Sequence, residues 1–451
     1  MQIVIVGCGN VGASIAKSLS KEGHNITVVD TNERAVRDIT DEQDIMGYVG
    51  NGATLDILVE AGAGSADIVI AVTDSDERNL LCCLFAKKAG ALYTIARVRD
   101  PEYRNEIELI RSDLGLSLVV NPELYAAEEI ARLLKLPNAI EIDTFARGRV
   151  ELLKLEVKKD SPLCGMALKY MHKKLDSDVL VCVVERGNET MIPTGDFTMW
   201  EGDKISFIAS GKKALQFFKA ANMNQGKVRT TMIVGGGMLC VYLASLLITN
   251  GVEVKIVEKE KKRCDELAVL LPEAIIIHGD GADKDLLYEE GIERTESFVA
   301  LTNHDEENVM MAMYVKKVNP KAKLVTKVHR NAYEDIISDM NIGSIINPKL
   351  LAAEDIVKYV RAKSNSYDSI ETLYQLNSGK AEALEFAVND SAKLVGIPLM
   401  NLKLKPDVIV ACIIHKGQIE TPGGSSVISV GDNVIIVTTQ SGFSDINDIL
   451  E

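Results

Sequence analysis

Along the first 140 residues the apolar positions follow two periods in alternation. Ile3–Val6, Ile26–Val29, Ile45–Val49, Asp67–Val72 and Tyr93–Val98 are short runs rich in β-branched residues. Near-continuous hydrophobicity of this kind marks strands buried on both faces. Between the runs, apolar residues recur three and four apart, as in Val11, Ile15 and Leu19, or Leu55, Leu58 and Val59. Further helices are predicted from about Glu77 to Lys88, after Pro101, and from Pro122 to about Lys135, with Ser117–Val120 preceding the last. Strands that alternate with helices predict a parallel, doubly wound sheet.

The pattern changes at Val150. Leu152, Leu153, Leu155 and Val157 alternate with polar residues, and a short helical stretch is expected from Pro162 to Met171. Val179–Val184, Met191-Ile192 and Lys204–Ala209 read as strands joined by hairpin-like turns such as Arg186-Gly187-Asn188. This predicts a compact α+β module of roughly 80 residues, near the lower range for an independent core.

At Val228 the whole plan restarts. Gly7 finds its counterpart 228 residues later in Gly235, and Asp30 in Glu258 at the same interval. Gly50 matches Gly279, Thr73 matches Thr302, and Asn121-Pro122 recurs as Asn347-Pro348. The small module repeats as well: Gly165 with Gly396, Gly187 with Gly417, and Gly202-Asp203 with Gly431-Asp432. The fold class expected is therefore α/β, with two tandem Rossmann-like, doubly wound parallel-sheet domains, each followed by a small α+β lobe. The boundaries expected are 1–138, 139–226, 227–366 and 367–451.

The first strand ends in Gly7-Cys8-Gly9-Asn10-Val11-Gly12, and the second ends at Asp30. Strand, G-x-G-x-x-G, helix, strand and acid in this order form the dinucleotide-binding fingerprint. Gly7 permits the tight turn, Gly9 lets backbone approach a pyrophosphate, and Gly12 lets helix and strand pack. The helix N-terminus offers free N–H groups to the phosphates. Asp30 would accept from both ribose hydroxyls and meet a 2′-phosphate with like charge, which favours NAD(H) over NADP(H).

Composition narrows the class further. The 451 residues are 47% hydrophobic and 25% charged, enough for several cores, and a prior of ~150 residues per domain suggests about three. A formal net charge of -15 argues against nucleic acid as a partner. No signal peptide is evident, and no apolar run is long enough to span a bilayer. The eight cysteines show no C-x-x-C pairing and the six histidines no ligand spacing, so neither disulfides nor a metal site are expected.

The residues Gly7–Gly12, Asp30, Gly50-Asn51-Gly52-Ala53, Thr73-Asp74-Ser75-Asp76-Glu77 and Ala96-Arg97-Val98-Arg99 resemble the N-lobe of the RCK (regulator of K⁺ conductance) family. The module after them resembles an RCK C-lobe, and the resemblance covers essentially the whole chain. The tandem arrangement is similar to the cytosolic, NAD-binding regulatory subunits of Trk-type potassium-uptake systems. That resemblance implies NAD(H), with ATP or ADP as further ligands, and a potassium-translocating Trk membrane subunit as partner. It also implies a homo-oligomer, a tetramer or other ring, peripheral at the inner face of the cell membrane and without bilayer insertion. By position, Gly7, Cys8, Gly9, Asn10, Val11 and Gly12 would line the pyrophosphate turn, and Asp30 would hold the ribose. Asn51 and Ala53 would approach the adenosine, and Thr73 and Asp74 would lie above the crevice. Arg97, or alternatively Arg99, would reach phosphates. In the second half Gly235, Gly237, Met238, Glu258, Asp280, Thr302 and Lys327 take the equivalent places. Cys240 replaces the third glycine and Asn303 replaces Asp74, which weakens the second site; Cys240 should push its helix slightly off the sheet.

An NAD-dependent oxidoreductase is the alternative reading. It would need a positioned proton donor or acceptor, and the C-lobe histidines His172 and His415 do not correspond between the copies. A nucleotide-sensing DNA regulator would need a helix-turn-helix, and none is found. Cys82-Cys83 reads as core packing, and Lys259–Arg263 as a solvated helix start. The helix faces after Asn79 and Asn308 read as core or as a contact between N-lobes.

Overall fold

The computed structural model describes residues 1–42, 44–145, 149–175, 179–223, 227–329, 340, 342–364, 370–376 and 379–451. It forms two units, Met1–Ala131 with Arg229–Val360, and Arg132–Val228 with Arg361–Glu451.

The first unit holds both parallel sheets. Strands β1 (Gln2–Val6), β2 (Asn25–Asp30), β3 (Met46–Val49), β4 (Ile68–Ala71), β5 (Tyr93–Arg97) and β6 (Leu118–Val120) pair in the order β3-β2-β1-β4-β5-β6. Helices α1 (Asn10–Lys21), α2 (Glu33–Glu42), α3 (Leu55–Glu60), α4 (Asp76–Ala89), α5 (Pro101–Ile110) and α6 (Pro122–Lys135) connect or follow them. The order reverses between β1 and β4, and that switch point is where α/β sheets leave a ligand crevice. α1 exists because Val11, Ile15, Ala16 and Leu19 fall on one face and are buried against the sheet.

The part of the second unit that precedes the repeat starts with β7 (Glu141–Phe145), β8 (Val150–Glu156) and α7 (Met171–Leu175). They are joined by β9 (Leu180–Arg186), β10 (Glu189–Met191), β11 (Lys204–Ala209) and α8 (Gly211–Ala220) in an antiparallel sheet ordered β10-β9-β11-β8-β7.

The parallel plan then recurs with β12 (Thr230–Val234), α9 (Met238–Thr249), β13 (Glu253–Glu258), α10 (Lys261–Leu270), β14 (Ile275–His278) and α11 (Lys284–Glu289). It continues through β15 (Ser297–Ala300), α12 (Asp305–Val318), β16 (Lys323–Lys327), β17 (Ser344–Ile346) and α13 (Pro348–Ser364). The strand order, β14-β13-β12-β15-β16-β17, repeats that of the first sheet. β18 (Ile370–Leu376), β19 (Ala381–Ala387), β20 (Val408–His415), β21 (Gln418–Glu420) and β22 (Asn433–Thr438) make the fourth sheet, β18-β19-β22-β20-β21.

Each unit joins the two copies through a shared core. In the first unit, Ala352, Ala353, Ile356, Val357 and Val360 of α13 are buried with Ile3, Ile5, Ile15 and Leu19 of the first sheet and its helix. Tyr93 meets Tyr359 edge-on at 6.4 Å between ring centroids. A helix of the second copy thus covers the sheet of the first. In the second unit, Phe145, Leu152 and Cys182 share a core with Leu376, Ala383, Cys412 and Ile435. The Tyr374 hydroxyl donates to the Thr144 carbonyl at 2.7 Å across that core.

Three local differences from the expectation have physical causes. The stretch expected to be helical from Pro162 is turns up to Gly165, whose φ of +75° breaks a helix; helical structure starts at Leu168. β7 was not anticipated, because its buried positions, Ile142 and Phe145, are three apart and give no strand period. α8 was also missed, although Ala214, Phe217, Phe218 and Ala221 are buried at helical spacing. Cys82 and Cys83 are buried in the core as expected, and no helix among the described residues is long and apolar enough to cross a membrane.

Candidate functional site

The three glycines of the first turn do different work. Gly7 lies at φ +106°, and a Cβ there would stand 2.9 Å from Thr73 N, so the turn abuts the end of β4. A Cβ on Gly12 would fall 1.8 Å from the Gly7 carbonyl oxygen, so α1 can approach β1 only without one. A Cβ on Gly9 would meet nothing within 4 Å, which leaves its backbone facing an open cradle at the N-terminus of α1. Gly9 is therefore not kept small by its own fold. The cradle fits a pyrophosphate, which needs bare backbone N–H groups and no intruding side chain.

Asp30 stands beside the cradle. Its Oδ2 accepts from Cys8 N at 2.6 Å and its Oδ1 from Asn32 N at 2.8 Å, fixing the carboxylate against the turn. Burial, with the nearby Asp30 charge second, pushes the Cys8 thiol up to about 12, so Cys8 stays a neutral packing residue. Asn51 closes an Asx turn by accepting from Ala53 N at 3.1 Å. Asp74 is exposed and pairs with Arg78 at 2.8 Å.

A residue that the motif reading passed over organises the far wall. Asn79, wholly buried, accepts from Thr73 N at 2.8 Å and from Thr73 Oγ1 at 2.7 Å, and donates to the Arg97 carbonyl at 2.9 Å. It ties the end of β4 to the end of β5. The second copy repeats this with Asn308, which accepts from Thr302 N at 3.0 Å and donates to the Lys327 carbonyl at 3.0 Å. An asparagine six residues after the threonine in both copies was the available signal. The Arg97 guanidinium donates to the Thr73 carbonyl, and Arg99 donates to the Asp74 carbonyl at 2.5 Å. Burial lowers the pKa of Arg97, and Arg99 beside it does so further.

The second crevice has the same frame and a different lining. Gly235 has φ +103° and abuts Leu301, and a Cβ on Gly237 would again meet nothing within 4 Å. Glu258 accepts from Gly236 N and Glu260 N, both at 2.7 Å, as Asp30 does in the first copy. Met238 opens α9, and Cys240 is wholly buried where Gly12 stands in the first copy. Arg263 departs from the solvated helix start expected for 259–263: its Nε donates to the Gly236 carbonyl at 2.7 Å. Asp280 is bound by Lys259 at 2.7 Å, which holds its carboxyl below the usual range. Lys327 donates to Asn303 Oδ1 at 3.3 Å, and burial pulls its ammonium down to about 8. No group of three or more metal-ligating side chains occurs among the described residues.

Two doubly wound sheets, each with a bare glycine turn below a helix N-terminus, define a tandem protein of the dinucleotide-binding type. The chain belongs to the TrkA family: the TrkA-N domain matches residues 3–122 and 231–348, and the TrkA-C domain residues 152–222 and 383–451. It is 31% identical to a Trk system potassium uptake protein TrkA homolog of Methanosarcina mazei over the whole of both chains. It is 30% identical to the Trk system potassium uptake protein TrkA of Vibrio alginolyticus, covering 100% of this chain and 99% of the relative. Its fold is similar to that of a GsuK channel bound to NAD, at a TM-score of 0.62 and 15% identity over 97% of this chain and 77% of the channel. Membership of this family places the chain among potassium-uptake proteins and not among enzymes.

Proposed function

We propose that this chain is the nucleotide-sensing regulatory subunit of a Trk-type potassium-uptake system. NAD(H) occupies the first crevice, with the pyrophosphate over Gly9 and the N-terminus of α1 and the adenosine ribose on Asp30. Asn51 and Ala53 flank the adenosine, and Thr73, Arg97 and Arg99 face the phosphates. ADP and ATP compete for the same place. The second crevice, through Gly235, Gly237, Met238, Glu258, Asp280, Thr302 and Lys327, is the weaker site. Four lobes, at 1–138, 139–226, 227–366 and 367–451, assemble as a homo-oligomer, a tetramer in this reading, against the inner face of a potassium-translocating membrane subunit. Nucleotides that bind two states of the assembly unequally shift it between them, and the shift is passed to the pore.

The observation that carries the reading is the open cradle at Gly9 beside a carboxylate already fixed against the turn. The bound NAD in a fold neighbour and the names of the full-length relatives support it. Potassium flux into proteoliposomes that hold a Trk membrane subunit tests it. Adding this chain should make flux depend on whether NADH, ADP or ATP is present. Flux that is the same with and without the chain, under all three nucleotides, would defeat the proposal.

A further inference from the structure

Residues 158–174 of the first C-lobe carry five lysines and one acid, in a chain whose formal net charge is -15. Within them, residues 165–170 form a strap along residues 195–199. Gly165 N donates to the Met199 carbonyl at 2.8 Å, Leu168 N to that of Phe197 at 3.0 Å and Lys169 N to that of Gly195 at 2.8 Å.

The strap gathers two exposed aromatic side chains, each with lysines beside it. Trp200, the only tryptophan of the chain, is 54% exposed. It lies against one end of the strap, where a Cβ on Gly165 would stand 3.9 Å from its ring. Gly202 N donates to the Val157 carbonyl at 2.9 Å, which sets Lys158 and Lys159 next to the loop of Trp200. Tyr170, 50% exposed, ends the strap, with Lys169 Nζ and Lys174 Nζ at 5.3 Å and 6.0 Å from its ring centre. All five lysines are exposed. The exposed acids of these loops are Asp160, Asp196 and Glu201, of which Asp196 is bound to Lys169 at 2.6 Å. Asp203 is buried and answered by Arg186 at 2.7 Å. Five lysines against three exposed acids leave positive charge in excess.

The fold does not require this surface. In the second copy the same strap is made by Gly396 N on the Ile428 carbonyl at 3.0 Å and Met400 N on the Gly424 carbonyl at 2.8 Å. There Ser429 stands in the place of Trp200 and Asn401 in that of Tyr170.

Tryptophan and tyrosine favour the headgroup level of a bilayer, with an apolar body and a polar edge. Lysines beside them meet the negative potential of anionic lipids, each worth about fivefold in partition. We propose that this strap rests on an anionic lipid surface, with Trp200 and Tyr170 at headgroup depth and Lys158, Lys159, Lys173 and Lys174 on lipid phosphates. Lipid is favoured over a protein partner because the two rings stand at opposite ends of the strap, each with its own lysines. That layout suits repeated headgroups rather than the central packed pocket of a protein interface. The contact is a lipid attachment distinct from docking on a membrane protein, and it needs no nucleotide.

Trp200 reports on its own site. When the full chain meets vesicles of phosphatidylcholine with phosphatidylglycerol, its fluorescence should shift to the blue, and the shift should fade as salt is raised. Vesicles of phosphatidylcholine alone should leave it unchanged. In cosedimentation with the anionic vesicles, Lys173→Gln combined with Lys174→Gln should weaken binding about thirtyfold. Trp200→Ala, at a half-exposed position, should weaken it about tenfold. Lys261→Gln combined with Lys262→Gln, exposed on α10, should change it by less than about twofold. No blue shift with anionic vesicles, an equal shift with neutral ones, or an equal loss in the α10 pair would overturn the proposal. Because these vesicles contain no protein, that failure would leave the nucleotide-sensing reading untouched.

Discussion

At the scale of single residues, Asn79, outside the motifs, and Lys327, at the place equivalent to Arg97, show how individual side chains shape the crevices. Asn79→Ala leaves Thr73 N and the Arg97 carbonyl without their buried partner, at a cost of about 3 kcal/mol. Denaturant unfolding of the variant measures that loss, and an unchanged midpoint would refute it. Lys327 carries a pH signature. Its folded pKa of about 8 lies below the ordinary 10.5, so between these values the folded chain binds fewer protons than the unfolded one. Stability on this account rises from pH 8 to pH 10.5, and the charged ammonium costs about 3 kcal/mol below pH 8. Lys327→Met should therefore be more stable than wild type at pH 7.5, with the difference closing by pH 10; a difference independent of pH would contradict this. Gly7, Gly9, Gly12 and Asp30 were legible in the sequence because their roles are local, set by one turn and one neighbouring strand. Asn79 and Arg263 were not, because each acts through partners that only the folded sheet brings close.

At the scale of elements, the inner strands of the parallel sheets follow the apolar runs closely, since burial on both faces leaves a strong signal in composition, whereas the edge strands β3 and β14 are largely exposed. What no local pattern could announce is where α13 goes. Its apolar face, Ala352, Ala353, Ile356, Val357 and Val360, is what any amphipathic helix would show, yet it packs on the sheet of the other copy. Ile356→Ala should cost about 3 kcal/mol and loosen the first copy rather than the second. Hydrogen exchange would then rise in β1 and α1 before it rises in β12 and α9. Faster exchange confined to β12 and α9 would place the helix elsewhere. The C-lobe sheets were readable as antiparallel strands, but the shared core around Phe145, Tyr374 and Cys412 depends on both copies at once.

At the scale of the whole molecule, duplication has been converted into interdependence. Within each unit one copy completes the core of the other, so half a chain exposes apolar surface that a stable monomer does not tolerate. Residues 1–226 produced alone should self-associate, with one molecule standing in for the missing copy. Sedimentation showing a folded monomer would argue that each half is self-sufficient. Divergence between the halves has an equally physical reading. Both turns are open, but the first keeps Gly12, while the second carries Cys240, an arginine bonded to its glycine turn and a lysine bound to Asp280.

The measurement that tests this account most directly is calorimetric titration of the full chain with NADH, beside the same titration of Gly9→Asp. The cradle at Gly9 has room for a side chain, so the variant should fold, while its carboxylate stands where the pyrophosphate would lie. The account predicts saturable binding by the wild-type chain, with the tighter class of sites lost in the variant and no turnover of NADH in either. Equal NADH affinity in the two proteins would contradict it.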